Sequence, residues 1–328
     1  LNGSLQGGRL SRTTKILFVI IGIIVFAGLL VGIYFLGKSK SSSTASPITT
    51  PKSNGIAQDP NGPYYHKIYA ATSKDGLTWD KQNKVLFDHA SVPGAVIKDG
   101  IIYLYFVDAS GDLSDQLSVG ISKDLGKSFD KQKIEIKGAT LAAVDPDPVL
   151  LDNGKIRLYY FASPVIAGDP AKASGQHQIM SAESSDGINF ENVSEVFAEE
   201  NITDPDVFKT AKDWRIFVSK GTNLDLAISS DGGIIFTKQN DFSWSEGGVP
   251  STFNFNGTFR TYFCGKGGIG SATGADTGKL TVESGVRVEE NNKIVCDPSV
   301  IQLPDNTYMM FYKVQETTQN NINNGSRK

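Results

Sequence analysis

The sequence predicts an all-β chain, a five-bladed β-propeller closed by pairing N-terminal outer strands with the last blade and preceded by one transmembrane helix. Three observations carry this expectation. Beyond residue 64 helical periodicity is nearly absent, and short runs rich in Val, Ile, Tyr and Phe alternate with Gly, Asp and Asn turns. Five units open on a residue-proline pair, at Val92-Pro93, Asp145-Pro146, Asp204-Pro205, Val249-Pro250 and Asp297-Pro298. The proline intervals of 53, 59, 45 and 48 residues suit four-stranded blades. A serine-aspartate-glycine-aromatic signal recurs at nearly fixed offsets, at residues 73–79, 122–129, 184–190 and 229–236.

Taken in chain order, residues 1–15 form a short basic segment, with Arg9, Arg12 and Lys15. Residues 16–36 are 21 uncharged, mostly apolar residues. At about 1.5 Å per residue a helix of that length spans roughly 30 Å, the hydrocarbon thickness of a bilayer. A cleaved signal peptide has a shorter apolar region, so an uncleaved single span is expected. The basic N-terminus favours the inside, with the C-terminal domain outside the cytoplasm. Residues 37–63, rich in Ser, Thr, Pro, Asn and Gly, read as a solvated tether. The propeller should occupy residues 64–315 and a polar tail 316–328. Of the 328 residues 39% are hydrophobic and 20% charged, enough to bury a large core, and the net charge of −3 is scattered along the chain, which argues against a nucleic-acid partner.

In each unit the proline leads into an apolar strand, a polar hairpin and a second strand rich in aromatics, such as "IIYLYFV" or "IRLYYFA". The fifth unit has two good strands before the tail, whereas the signal at residue 73 precedes the first unit and lacks inner strands. Residues 66–90 should therefore complete the last blade through "KIYAATS" and "KVLFD". In the fourth unit the signal has decayed to "SATGADTG".

The start of each innermost strand lies at the same end of the ring, so Asp145, Asp204 and Asp297 should gather at one mouth of the central channel. Several carboxylates so close together would raise at least one pKa, as acid-base chemistry requires. The plainer reading is that Asp-Pro merely ends an incoming loop. Arg157, Arg215 and Arg260 share one column of the second strands. They either converge on the channel to bind substrate or serve as counter-ions between blades. The loop 162–178, with His177, falls on the mouth side and either covers substrate or is an ordinary insertion. Cys264 and Cys296 should both lie at the mouth, where an exported domain permits a disulfide between adjacent blades. The three histidines are too dispersed for a transition-metal site, and no cofactor is called for.

The serine-aspartate-glycine-aromatic signal resembles the Asp-box of sialidase-type propellers, which closes the hairpin between third and fourth strands opposite the active face. Five blades with Asp-Pro starts resemble the glycoside hydrolase propellers of families 43, 32, 62 and 68, which cleave arabinans, xylans and fructans. Family 43 places an aspartate base, an orienting aspartate and a glutamate acid on successive blades. The resemblance implies that Asp145 activates water, Asp204 orients substrate and tunes the acid, and Glu246 in "SEGGVP" protonates the leaving oxygen. The chain departs from that pattern: Glu246 lies four residues before Pro250 rather than two, Val92 stands where an aspartate is expected, and Asp297 is additional. Two readings follow, a membrane-anchored carbohydrate-active hydrolase with a polysaccharide or glycan partner, or a non-catalytic propeller that binds glycan or protein.

Overall fold

The computed structural model describes residues 61–111, 116–163 and 176–316. The basic segment, the apolar span and nearly all of the tether lie outside the described residues, as do residues 164–175 and the tail from 317. No helix among the described residues is long and apolar enough to cross a membrane.

Five antiparallel sheets follow one another around a ring. The first blade runs Ala90–Lys98, Ile101–Asp108, Gln116–Ser122 and Asp130–Lys133 from the channel outward. The second runs Ala142–Leu150, Ile156–Ser163, Gln176–Ser184 and Asn189–Glu200, with Glu135–Ile136 added in parallel at its outer edge. The third comprises Thr203–Lys209, Trp214–Lys220, Asn223–Ser229 and Thr237–Lys238, and the fourth Gly248–Phe255, Thr258–Gly265, Gly268–Thr273 and Thr281–Val282. The fifth joins both ends of the described chain: Lys293–Gln302 and Tyr308–Glu316 are followed outward by His66–Ser73, which pairs from His66 opposite Gln315 to Ser73 opposite Tyr308. The outer edge differs from the single strand expected at "KVLFD". Asp80–Lys81 and Phe87–Asp88 each pair with a different end of His66–Ser73, and between them the chain loops out through Asn83, whose φ is 52°.

Each sheet is sandwiched between two others, so its central strands are buried on both faces. That is why the second strands read as continuous apolar runs rather than alternating ones: Ile102, Leu104, Tyr105 and Phe106 all have no exposed surface. The buried side chains form clusters that straddle the blade junctions. One joins Tyr105 and Val107 to Leu158, Tyr160 and Phe190, and another joins Ile68 and Phe311 to Ile102 and Phe106, across the closure. Burying a side chain of this size stabilises by about 1.5–3 kcal/mol, so the closure is held by packing as well as by its ladder.

At the end of the ring away from the mouth, four third-to-fourth strand hairpins share one construction. Ser73 Oγ donates to Asp75 and accepts the Gly76 N–H at 2.9 Å, while Asp75 accepts the N–H groups of Leu77 and Thr78, each at 2.8 Å. The turns at Ser122, Ser184 and Ser229 repeat the serine–aspartate bond and the serine–glycine bond. Gly76 has φ +71°, and a Cβ there would lie 2.5 Å from Phe255 of the neighbouring blade, so the turn needs glycine both for its conformation and for the approach.

Candidate active site

The site is built from one backbone device used five times. On every innermost strand the residue before proline has positive φ: Val92 47°, Asp145 52°, Asp204 47°, Val249 51° and Asp297 52°. In all five blades the pairing register shifts at this point. This is a β-bulge, a place where proline's missing N–H breaks no ladder bond. Residues before proline ordinarily stay extended, and left-handed conformations cost about 1–3 kcal/mol, most for a β-branched side chain such as valine. The packed ring sustains that strain at each blade and thereby presents five side chains to one central cavity of about 30 Å³, room for roughly one water.

Around the ring the order is Val92, Asp145, Asp204, Val249, Asp297. Asp145 and Asp204 are therefore neighbours, whereas Asp297 has valine on either side. Asp145 and Asp204 are half-buried. The Asp204 N–H points at Asp145 Oδ2 at 3.4 Å, and the Thr203 hydroxyl donates to Asp204 Oδ2 at 2.6 Å. Burial, then the charges of Asp204 and Asp297, pushes the Asp145 carboxyl well above the usual carboxylate range. Burial, then Asp297, pushes Asp204 up to about 6. Burial and mutual charge thus push both carboxyls toward their protonated forms, and the two titrate as a coupled pair.

Asp297 is only 3% exposed and pairs with Lys313, whose Nζ lies 2.9 Å from Oδ2. The Ser91 hydroxyl reaches the same oxygen at 3.5 Å, and His66 Nδ1 lies 2.8 Å from Ser91 Oγ. Burial, then the Lys313 charge, holds His66 down at about 4. Cys264 and Cys296 are joined as a disulfide with Cα atoms 5.0 Å apart, linking blades four and five beside Asp297, whose N–H points at Cys264 Sγ at 3.3 Å. Among the described residues the one grouping of metal-ligating types, Cys264, Cys296 and Asp297, has both sulfurs engaged with each other.

A second layer of acids lies two residues further along the strands. Asp147 accepts the Val207 N–H of the next blade at 2.7 Å, and Asp206 accepts the Thr252 N–H at 2.9 Å and its hydroxyl at 2.6 Å. These carboxyls lace innermost strands together. Burial, then Asp206, pushes Asp147 well above the usual range, and burial pushes Asp206 up to about 6. The signal for them was present in the sequence, in the second aspartate of "DPDP" and "DPDV". Nothing in the sequence pointed to Lys313, His66 or Ser91.

Other expected site residues are placed elsewhere. Glu246 is exposed, on the loop before Gly248–Phe255, and does not line the cavity. The three arginines do not face the channel; of their two readings the structure supports the one between blades. Arg157 pairs with Glu183 at 2.8 Å and donates to Gly232 O of the third blade at 2.7 Å. Arg215 pairs with Asp213 and donates to Ala275 O of the fourth blade, and Arg260 pairs with Glu283 and donates to Asp75 O of the fifth. Tyrosines add to the same buckle: Tyr105, Tyr159 and Tyr262 each donate to a glycine carbonyl in the neighbouring turn, at 2.9, 2.8 and 2.6 Å. Strand pairing sends these side chains to the turn end of the ring, opposite the mouth. His177 is 5% exposed, its Nδ1 2.7 Å from Ile202 O and its ring tilted against Phe161, with centroids 4.9 Å apart. It packs its loop base against the blade and offers no surface to a substrate.

No family model matches the sequence, and no curated protein is significantly similar to it. Solved structures do share its architecture. An α-L-arabinofuranosidase from Lactobacillus brevis superposes with a TM-score of 0.53 at 16% identity, covering 70% of this chain and 85% of that one. An α-L-arabinofuranosidase from Clostridium thermocellum gives 0.51 at 15% identity over 67% and 80%, and a thermostable family-43 glycoside hydrolase 0.51 at 14% over 69% and 91%. At such identities the likeness establishes the fold: this is an all-β five-bladed propeller matching the structures of family-43 glycoside hydrolases.

Proposed function

We propose that the protein is a carbohydrate-active propeller of glycoside hydrolase type, with acid-base chemistry centred on Asp145 and Asp204 at the channel mouth. The observation that carries this reading is the adjacency of two half-buried carboxyls, the Asp204 N–H pointing at Asp145 Oδ2, whose burial and mutual charge push both toward protonation. Glycoside hydrolysis needs one protonated and one ionised carboxyl at the scissile bond. Asp145 as base and Asp204 as the orienting carboxylate is the order that the family-43 resemblance suggests, and the raised, coupled titration of the pair supports acid-base work there without dividing the roles. Glu246, exposed on the loop before Gly248–Phe255, is the third group to test as acid. Residues 16–36 would anchor the domain to a membrane, outside the cytoplasm, where the Cys264–Cys296 disulfide is chemically at home. The substrate class is a polysaccharide. Arabinan and xylan come first, since α-L-arabinofuranosidases and an endo-1,4-β-xylanase are among the propellers sharing the fold.

A second reading, a glycan- or protein-binding propeller without hydrolysis, draws on two observations: Glu246 lies off the ring, and the cavity enclosed by the ring holds about 30 Å³, too little for a sugar ring. Product release from arabinan, xylan, fructan, mannan and sialoside substrates separates the two. We expect release that falls at least 100-fold in Asp145→Asn and Asp204→Asn, with Glu246→Gln reporting whether that glutamate contributes. Folded protein that binds one of these glycans without releasing product would establish the second reading instead.

A further inference from the structure

Lys313 sits on the second strand of the fifth blade, Tyr308–Glu316, in register with Cys296 and one residue from Asp297 on the facing strand. Its side chain is 13% exposed and its Nζ lies 2.9 Å from Asp297 Oδ2, itself on a residue 3% exposed. No other basic side chain among the described residues forms an ion pair with a carboxylate of the ring. The charged and titratable groups that act on Lys313 come from several elements: Asp297 from its own blade's innermost strand, His66 from the third strand, and Asp145 and Asp204 from across the channel. The Ser91 hydroxyl of the first blade reaches Asp297 and His66.

The ring order makes this lysine consequential. Four aspartates line one small cavity; Asp147 accepts the Val207 N–H, and of the three on the bulges, Asp145, Asp204 and Asp297, two are adjacent. An uncompensated negative charge on Asp297 would favour protonation of both Asp145 and Asp204, leaving an acid and no base. With Asp297 neutralised by the ammonium, the adjacent pair needs only one proton to relieve its own repulsion. We propose that Lys313 is the positioning residue of this site, the group that leaves the Asp145–Asp204 pair with one proton instead of two. The inference rests on the acid-base reading of the ring given above. It goes beyond that reading in assigning control of the proton count to a side chain that need not touch substrate. The directions agree: the lysine charge acts to lower Asp145 and Asp204, and Asp297 acts to raise them.

The test compares Lys313→Met, Lys313→Arg, Asp297→Asn and the Lys313→Met/Asp297→Asn double variant, all in the full chain in detergent. In the pH profile of glycan release, Lys313→Met should move the acidic limb upward by about one pH unit or more and lower kcat near pH 6 roughly tenfold, with KM little changed. Lys313→Arg should restore the wild-type profile. Asp297→Asn, which leaves the lysine unopposed, should move the limb downward, and the double variant should return it close to wild type. An even loss of activity at all pH values in Lys313→Met would show a merely structural lysine and overturn the proposal. A second readout does not depend on hydrolysis: the carboxyl carbons of Asp145 and Asp204, followed by NMR titration in the same variants. If the wild type releases no product, the function proposed above fails, yet opposite displacements of these titrations in Lys313→Met and Asp297→Asn would still support the role of Lys313. Titrations unchanged in both variants would sink it. Should Lys313→Met not fold, Asp297→Asn and the double variant carry the same comparison.

Discussion

Asp206 illustrates how a single residue can hold the ring together and yet cost stability. It accepts two bonds from Thr252 of the next blade, is 4% exposed, and has its carboxyl pushed by burial to about 6. A carboxyl raised in this way binds its proton more tightly when folded than when unfolded. Its contribution is therefore fully present below about pH 4 and is lost as pH rises through about 6. Asn mimics the protonated form, and Thr252 Oγ1, which also lies 2.7 Å from Thr261 Oγ1, can turn its proton toward that partner. Asp206→Asn should therefore stabilise the protein at pH 8 by about 2 kcal/mol and change little at pH 4, in urea unfolding at both values. An equal difference at the two pH values would rule out ionisation as the cause.

At the scale of the element, the hairpin turns and the arginines of the preceding blade act as one unit. Arg260 is 7% exposed, pairs with Glu283 through Nε at 2.6 Å, and donates to Asp75 O in the turn of the fifth blade. Removing one partner of a buried pair leaves the other charge uncompensated, typically at a cost of about 3–5 kcal/mol; the partial exposure of Glu283 argues for the lower end. Arg260→Met should thus lower stability by about 3 kcal/mol while leaving KM for any glycan substrate unchanged, because the side chain lies at the end of the ring away from the mouth. A raised KM with unaltered stability would instead return the arginine to the substrate site.

For the whole molecule, closure is the question every ring must solve. Here the strand His66–Ser73 joins Tyr308–Glu316 over eight residues, so the last blade cannot form until both ends of the domain have met. Blades four and five are further tied at the mouth by Cys264–Cys296, a sequence separation of 32. Cross-linking a loop of that length restricts the unfolded chain by about 3–4 kcal/mol. Cys264→Ser/Cys296→Ser, or full reduction, should lower stability by about that amount in denaturant titration. Because Asp297 directly follows Cys296, the change should also alter any glycan release more than a cross-link on the outer strands would. Unaltered stability after verified reduction would argue that the disulfide adds nothing to the ring.

How much was legible beforehand follows from where each piece of information resides. Blade number, strand order and closure by the N-terminal strand were determined by the sequence alone, since each blade repeats the same local pattern and the count of half-units leaves one way to close. The ring of Asp145, Asp204 and Asp297 was legible for the same reason: X-Pro recurs at one register position, and a bulge there turns each side chain the same way. The directions of Arg157, Arg215 and Arg260, by contrast, depended on which neighbour their strand faces get to meet, which no single blade encodes. Glu246 lies in an irregular loop outside the repeat, so its distance from Pro250 could not place it. Lys313, His66 and Ser91 come from stretches up to 247 residues apart, and only closure of the ring brings them to Asp297. Tertiary structure alone decided that the lone carboxylate would have a counter-ion and the adjacent pair would not, because the burial and charge that govern a proton are properties of the assembled channel.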